Sequence, residues 1–212
     1  MAGGRDWKAA LPASQWFLLA SLLAAVGAAN IAQPYPELAP LQHIPTLLLI
    51  AVTPWLLRRW SLPTRHVTLL WMFLLLHTLG GRYIYSNVPY ESWFAGLTGR
   101  ALSDMLGAQR NGYDRLVHFM FGLLCTAPFA QMARRHGGLG RRPAWLLAFA
   151  LIGLVSALYE VFEWLLTIIL AGETADYYNG QQGDIWDPQK DMAVAQLGSL
   201  LAVLFSSLRH RT

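Results

Sequence analysis

Apolar residues in this chain gather into long unbroken blocks instead of recurring at the two-residue period of half-buried strands. Six blocks can be marked, at residues 15–32, 44–57, 67–79, 116–132, 145–171 and 192–208. Crossing a hydrocarbon core takes about 20 helical residues. The second and third blocks are shorter and must borrow flanking residues such as His43 and Gly80. The expected spans are therefore residues 15–32, 43–58, 66–82, 115–133, 144–171 and 191–208. Pro45 and Pro54 fall inside the second span, which is tolerated when neighbouring helices satisfy the freed backbone groups. The pattern predicts an all-α, polytopic membrane protein with about six transmembrane helices, forming a single integral domain over residues 1–212.

Composition agrees: 55% of the 212 residues are hydrophobic and only 13% are charged, with a mean hydropathy of +0.35, far from an ordinary soluble domain. The first block has no clear small-residue cleavage site and reads as a retained helix. A lone Cys125 excludes an intramolecular disulfide and a Cys-based zinc cluster. The net charge of +4 would suit nucleic acid, but the basic residues cluster at the ends of the apolar blocks, so no nucleic-acid partner is expected. Eleven of the sixteen fall on one side: Arg5, Lys8, Arg58, Arg59, Arg65, Arg134, Arg135, Arg141, Arg142, Arg209 and Arg211. The positive-inside rule makes that side cytoplasmic, with both termini inside. Between the third and fourth spans lie about 35 residues rich in aromatics, with a short amphipathic helix expected near residues 93–106. The last outer loop, residues 172–190, carries at 177–184 the amides and glycines of tight turns.

Against this background the polar residues inside the spans stand out. Glu160 and Glu163 interrupt the longest apolar run, which holds no other ionisable group but Tyr159. At membrane depth a carboxylate costs about 2.5–3.5 kcal/mol on insertion scales. Their i, i+3 spacing puts them one turn apart on one helix face. Asp114 and His118 open the fourth span at i, i+4, where they suit metal ligation or an acid–base pair, or simply a capped helix start. His77 ends the third span, and Asp184, Asp187 and Asp191 lead into the sixth, with Asp187-Pro188 expected as N-cap and first helical residue. All of these lie towards the outer side. They converge on one expected pocket, with Glu160, Glu163 and Asp114 as candidate catalytic groups. His77, His118, Glu163, Asp184 and Asp191 are the candidate ligands of a divalent metal, Zn or Mn. Arg82, Tyr83, Arg115 and Tyr159 are the candidates for substrate contact. Taken as structure alone, the two glutamates would form salt bridges to Arg82 or Arg115.

Four segments carry a resemblance: His77-Thr78-Leu79-Gly80-Gly81-Arg82-Tyr83, Tyr113-Asp114-Arg115-Leu116-Val117-His118-Phe119, Ala157 to Trp164, and Gln182 to Met192. Together they resemble the YjdF family of bacterial inner-membrane proteins, over most of the chain. The Asp-x-x-x-His-Phe helix start is also similar to the wider VanZ-like group. VanZ is associated with glycopeptide resistance, so that likeness implies chemistry on the lipids or lipid-linked molecules of the cell envelope.

Three functions fit these residues. A metal-dependent hydrolase or transferase would act on a lipid or lipid-linked substrate, with Glu160 or Glu163 as general base. A proton- or ion-coupled transporter would use the same carboxylates as exchange sites. A non-catalytic envelope protein would bind lipid and keep the polar network for helix association. Neither a nucleophilic triad nor a Gly-rich phosphate loop is evident.

Overall fold

A computed structural model describes residues 10–107, 110–169 and 182–208. Its regular structure is entirely helical: α1 (Ala13–Ala29), α2 (Ala39–Arg59), α3 (Thr64–Arg82), α4 (Tyr90–Thr98), α5 (Leu102–Leu106), α6 (Tyr113–Arg135), α7 (Arg141–Ile169) and α8 (Asp187–Leu208). Among the described residues, α2, α6, α7 and α8 are long and apolar enough to cross a membrane. The 17-residue α1 is apolar but short, and the 19-residue α3 is diluted by Arg65, His66, His77 and Arg82. The amphipathic segment expected near residues 93–106 is two short helices, α4 and α5, broken where Gly99 adopts a φ of +78°. The expected turn at residues 177–181, the end of the fifth span at residues 170–171 and the terminal basic residues lie outside the described residues.

The bundle is centred on α6, which packs against α3, α7 and α8. Its tightest partner is α8, and small residues make that possible. A Cβ on Gly122 would overlap the Ala195 carbonyl oxygen, and one on Gly198 would overlap that of Phe119. The two backbones are therefore in direct contact, as small residues permit inside membranes. Thr126 and Ser199, both fully buried, share a 2.7 Å hydroxyl hydrogen bond across the seam. Because residue 122 meets 195 and residue 126 meets 199, the two helices run parallel. The antiparallel α7 returns the chain between them.

A second parallel pair is made by α1 and α3. Gln15 Nε2 donates to the Leu62 carbonyl at 2.9 Å, and Trp71 Nε1 donates to Ser21 Oγ at 3.0 Å. At the far end Arg82 donates to the carbonyls of Ala29 and Ile31 at 2.7 and 2.8 Å. It thus closes the end of α1, where a helix leaves carbonyls without intrahelical partners. Towards the rest of the bundle α2 packs on α1 and α3 only, while α7 packs on α6 and α8. A cleft is left between α2 and α7, with α3 and α6 as its floor.

The α6–α8 contact sets a test. Gly122→Ala and Gly198→Ala force the helices apart, and each is expected to cost at least the ~1–3 kcal/mol of an overpacked core. Gly27 has open space where its Cβ would be, so Gly27→Ala should be neutral or stabilising by up to about 1 kcal/mol. Unfolding of the detergent-solubilised protein measures both. Wild-type stability in either seam variant would contradict the backbone contact.

Candidate functional site

The N-terminal ends of α6 and α8 meet at one end of the bundle. Asn111 and Tyr90 shape the start of α6: Asn111 Oδ1 accepts from the Tyr113 amide at 3.0 Å, and Tyr90 Oη accepts from the Gly112 amide at 2.8 Å. Tyr113 Oη in turn donates to the Leu76 carbonyl at 2.9 Å, locking the helix start to α3. Asp114 is thus released from capping and lies buried on the inner face with His118 one turn on.

The start of α8 is held by charge. Asp187 is only 2% exposed and receives the Arg110 guanidinium and, at 2.9 Å, Arg115 Nη2. Asp187 therefore anchors two arginines in place of the cap expected of it. Arg115 also reaches Asp184 at 2.5 Å, which accepts a third cation from Lys190 at 2.6 Å. Asp184 Oδ1 takes the Trp186 amide at 3.1 Å, the local turn that launches the helix.

Beneath this ion-pair cluster lies the group that the two parallel helices bring together. One ligand-type atom from each of Asp114, His118 and Asp191 falls within 4.8 Å of the others. His118 Nε2 stands 3.8 Å from Asp114 Oδ1 and 3.6 Å from Glu160 Oε1. Those separations are too long for hydrogen bonds. They are close to the roughly 3.4 Å between ligand atoms that tetrahedral bonds of 2.0–2.2 Å would impose. Glu160 Oε1 and Asp191 Oδ1 are buried without a hydrogen-bond partner, a costly condition for a carboxylate. Glu163 lies one turn from Glu160 and shares a small cavity of about 80 Å³ with Glu160, Asp187 and Asp191.

On the other side of His118 is a larger cavity of about 240 Å³. Asp114, His118, Tyr159 and the unpartnered hydroxyl of Ser156 line one wall, and His77 and Tyr85 line the opposite one. His77 does not join the carboxylates: its Nδ1 is bonded to Tyr85 Oη. That arrangement depends on an unusual turn, in which Ile84 and Tyr85 both take positive φ (46° and 53°), a conformation costly for a β-branched residue. The turn folds the Tyr85 ring back onto Gly80, where a Cβ would sit 2.7 Å from the ring.

Of the residues marked from sequence, the fold brings Asp114, His118, Tyr159, Glu160, Glu163 and Asp191 to one place. Asp184 and Arg115 belong to the adjoining ion-pair cluster, and neither Arg82 nor Arg115 pairs with the glutamates. Arg82 closes α1, and Tyr83 stacks edge-on against Trp93 with ring centroids 6.2 Å apart. Three residues with a part here escaped the sequence reading. Ser156 was detectable four residues before Glu160, hence on the same helix face. Arg110 and Tyr85 sit in irregular segments where no periodicity points to a partner.

The electrostatics of the outer cluster give a test. The Lys190 ammonium, the Trp186 amide and the Arg115 guanidinium, working against partial desolvation, lower the Asp184 pKa from 3.8 to about 2. A folded value below the unfolded one means that these contacts stabilise the fold fully above about pH 4. Their contribution is lost as pH falls through about 2. In Lys190→Met the Asp184 carboxyl, followed by its ¹³C resonance, should titrate at a higher pH than in the unaltered chain. An unmoved midpoint would contradict the assignment.

Comparison with known proteins places this arrangement in a family. The chain is 33% identical to the inner membrane protein YjdF of Escherichia coli (strain K12) over 175 residues, covering 82% of this chain and 77% of that protein. No solved structure matches. The family model described as "Predicted membrane protein (DUF2238)" matches residues 14–212, every described site residue included, and the chain belongs to that family.

Proposed function

We propose that this inner-membrane protein is a divalent-metal-dependent hydrolase or transferase acting on a lipid or lipid-linked envelope substrate. The observation that carries the reading is the buried set of Asp114, His118 and Asp191, with the unpartnered Glu160 Oε1 3.6 Å from His118 Nε2. Mixed oxygen and nitrogen donors suit Zn²⁺ or Mn²⁺. A bound cation would also offset the cost of burying so many carboxylates in an apolar bundle. Asp114, His118, Asp191 and Glu160 would hold the ion, which would supply Lewis-acid activation of a water or a substrate oxygen. Glu163, one turn from Glu160 and lining the same small cavity, would take a proton from the attacking oxygen.

The topology completes this reading: α1 and α3 join the four longer helices to make six crossings, with both termini cytoplasmic. The alternating directions of α1, α2, α3, α6, α7 and α8 support it, as do Arg58, Arg59, Arg134, Arg135, Arg141 and Arg142, all at the bundle end opposite the site. The carboxylates then face the outer leaflet. The Asp114-Arg115-Leu116-Val117-His118-Phe119 helix start supports kinship with the VanZ-like group, and with it a substrate of the envelope.

Elemental analysis of the purified protein tests the proposal. About one equivalent of Zn or Mn per chain is expected, lost in His118→Ala and Asp191→Asn and retained in Glu163→Gln. Absence of stoichiometric metal from the unaltered chain would overturn the reading and leave the carboxylates to proton or ion exchange. Reporter fusions after Arg59 and Arg135 should both read as cytoplasmic, and a periplasmic signal from either would reverse the orientation.

A further inference from the structure

We infer that the cleft between α2 and α7 receives one hydrocarbon chain of a membrane lipid, tail inward, with the lipid's polar head at Asp114 and His118. This assigns a substrate class to the site and rests on the metal-dependent reading given above.

Three observations lead to it. First, the 240 Å³ cavity adjoins a second of about 400 Å³, and the side chains of Leu49, Phe73, Leu74 and Phe121 line both. The second runs deeper along α6, among side chains such as Leu22, Leu70, Cys125 and Phe129, and its walls are almost wholly apolar. Apolar cavities of this kind stay dry and accept apolar guests. Second, the upper cavity changes character at its outer end. There Asp114 and His118, both buried, and the Ser156 hydroxyl, 2% exposed and without a partner, face the same space. An amphiphile is the class of molecule that matches a space apolar along its length and polar at one tip. Third, the cleft is open sideways. Because α2 and α7 do not pack on each other, a lipid can enter from the bilayer without leaving hydrocarbon. Leu48 and Val52 of α2 and Leu154 and Leu158 of α7 are exposed apolar side chains that membrane lipid would bathe.

The geometry also orders the steps. The chain slides between the lips along the Phe73 and Phe121 rings, which lie 5.4 Å apart, centroid to centroid. The depth to which the tail enters then fixes the head beside the acidic cluster. Binding energy from the remote tail would in this way be used to position the reacting group.

Photolabelling tests the inference. The full chain is placed in nanodiscs containing phosphatidylglycerol with a diazirine in its acyl chain, irradiated, and mapped by peptide mass. Label is expected to concentrate on residues 45–49, 73–77 and 117–121. Val155→Trp, at the half-exposed lip, should reduce labelling of those residues at least about fivefold, the factor given by ~1 kcal/mol of lost affinity. Leu204→Trp, on the outer face of α8, should leave it unchanged. Label spread evenly over outward residues such as Leu23, Leu204 and Phe205, or undiminished in Val155→Trp, would overturn the proposal. The map of the unaltered chain decides the matter even if a variant misfolds. Metal content of the same samples separates the two readings: metal with even labelling removes the lipid cleft alone, and concentrated labelling without metal removes the hydrolase alone.

Discussion

The close approach of α6 to α8 is the constraint on which the rest of this molecule depends. Two glycines, Gly122 and Gly198, remove the side chains that would hold the helices apart, and backbone then touches backbone. In a membrane, where lipid tails are as apolar as leucine, such contact is a principal source of association energy. It also fixes register. With residue 122 against 195 and residue 126 against 199, Asp114 and His118 are carried to the level of Asp187 and Asp191. The site is thus assembled by a seam that begins one turn away, and its precision is inherited from contacts that contain no charge.

Burying Asp114, Glu160, Asp187 and Asp191 beside the half-buried Asp184 works against stability, and the fold meets that cost in two ways. Asp184 and Asp187 are matched by Arg110, Arg115 and Lys190 in a cluster at the helix ends. Asp114, Asp191 and Glu160 are not so matched. Their oxygens lie 3.6 to 3.9 Å from the nearest basic nitrogen, and two of them have no hydrogen-bond partner at all. A network kept only for helix association would be expected to close those gaps. The cation proposed above would fill those gaps and offset the buried charge.

Much of this was legible in the sequence because membranes impose simple rules. Apolar blocks gave α1, α2, α3, α6, α7 and α8 to within a few residues at most ends. Charges inside apolar blocks pointed to Glu160, Glu163, Asp114 and His118 because such residues are expensive there. What the sequence could not convey was pairing. Arg82 resembles a substrate clamp until its carbonyl partners at the end of α1 are seen, and His77 resembles a ligand until Tyr85 occupies it. The positive φ at Ile84 and Tyr85 that permits this has no compositional signal, since neither residue is a glycine or asparagine. Asp187 followed by proline reads as a helix cap on local grounds, yet two arginines from distant positions claim its carboxylate.

The parallel course of α6 and α8 has one more consequence. Each helix N-terminus carries the equivalent of roughly half a positive charge from its aligned peptide dipoles. Antiparallel neighbours would cancel one another, whereas these two add at the same point, directly over Asp114, Asp187 and Asp191. The backbone itself therefore contributes a standing positive potential to the acidic pocket, one that no side-chain substitution removes. Such a field would hold the carboxylates in the membrane before any cation arrives, and would moderate how tightly one is held afterwards.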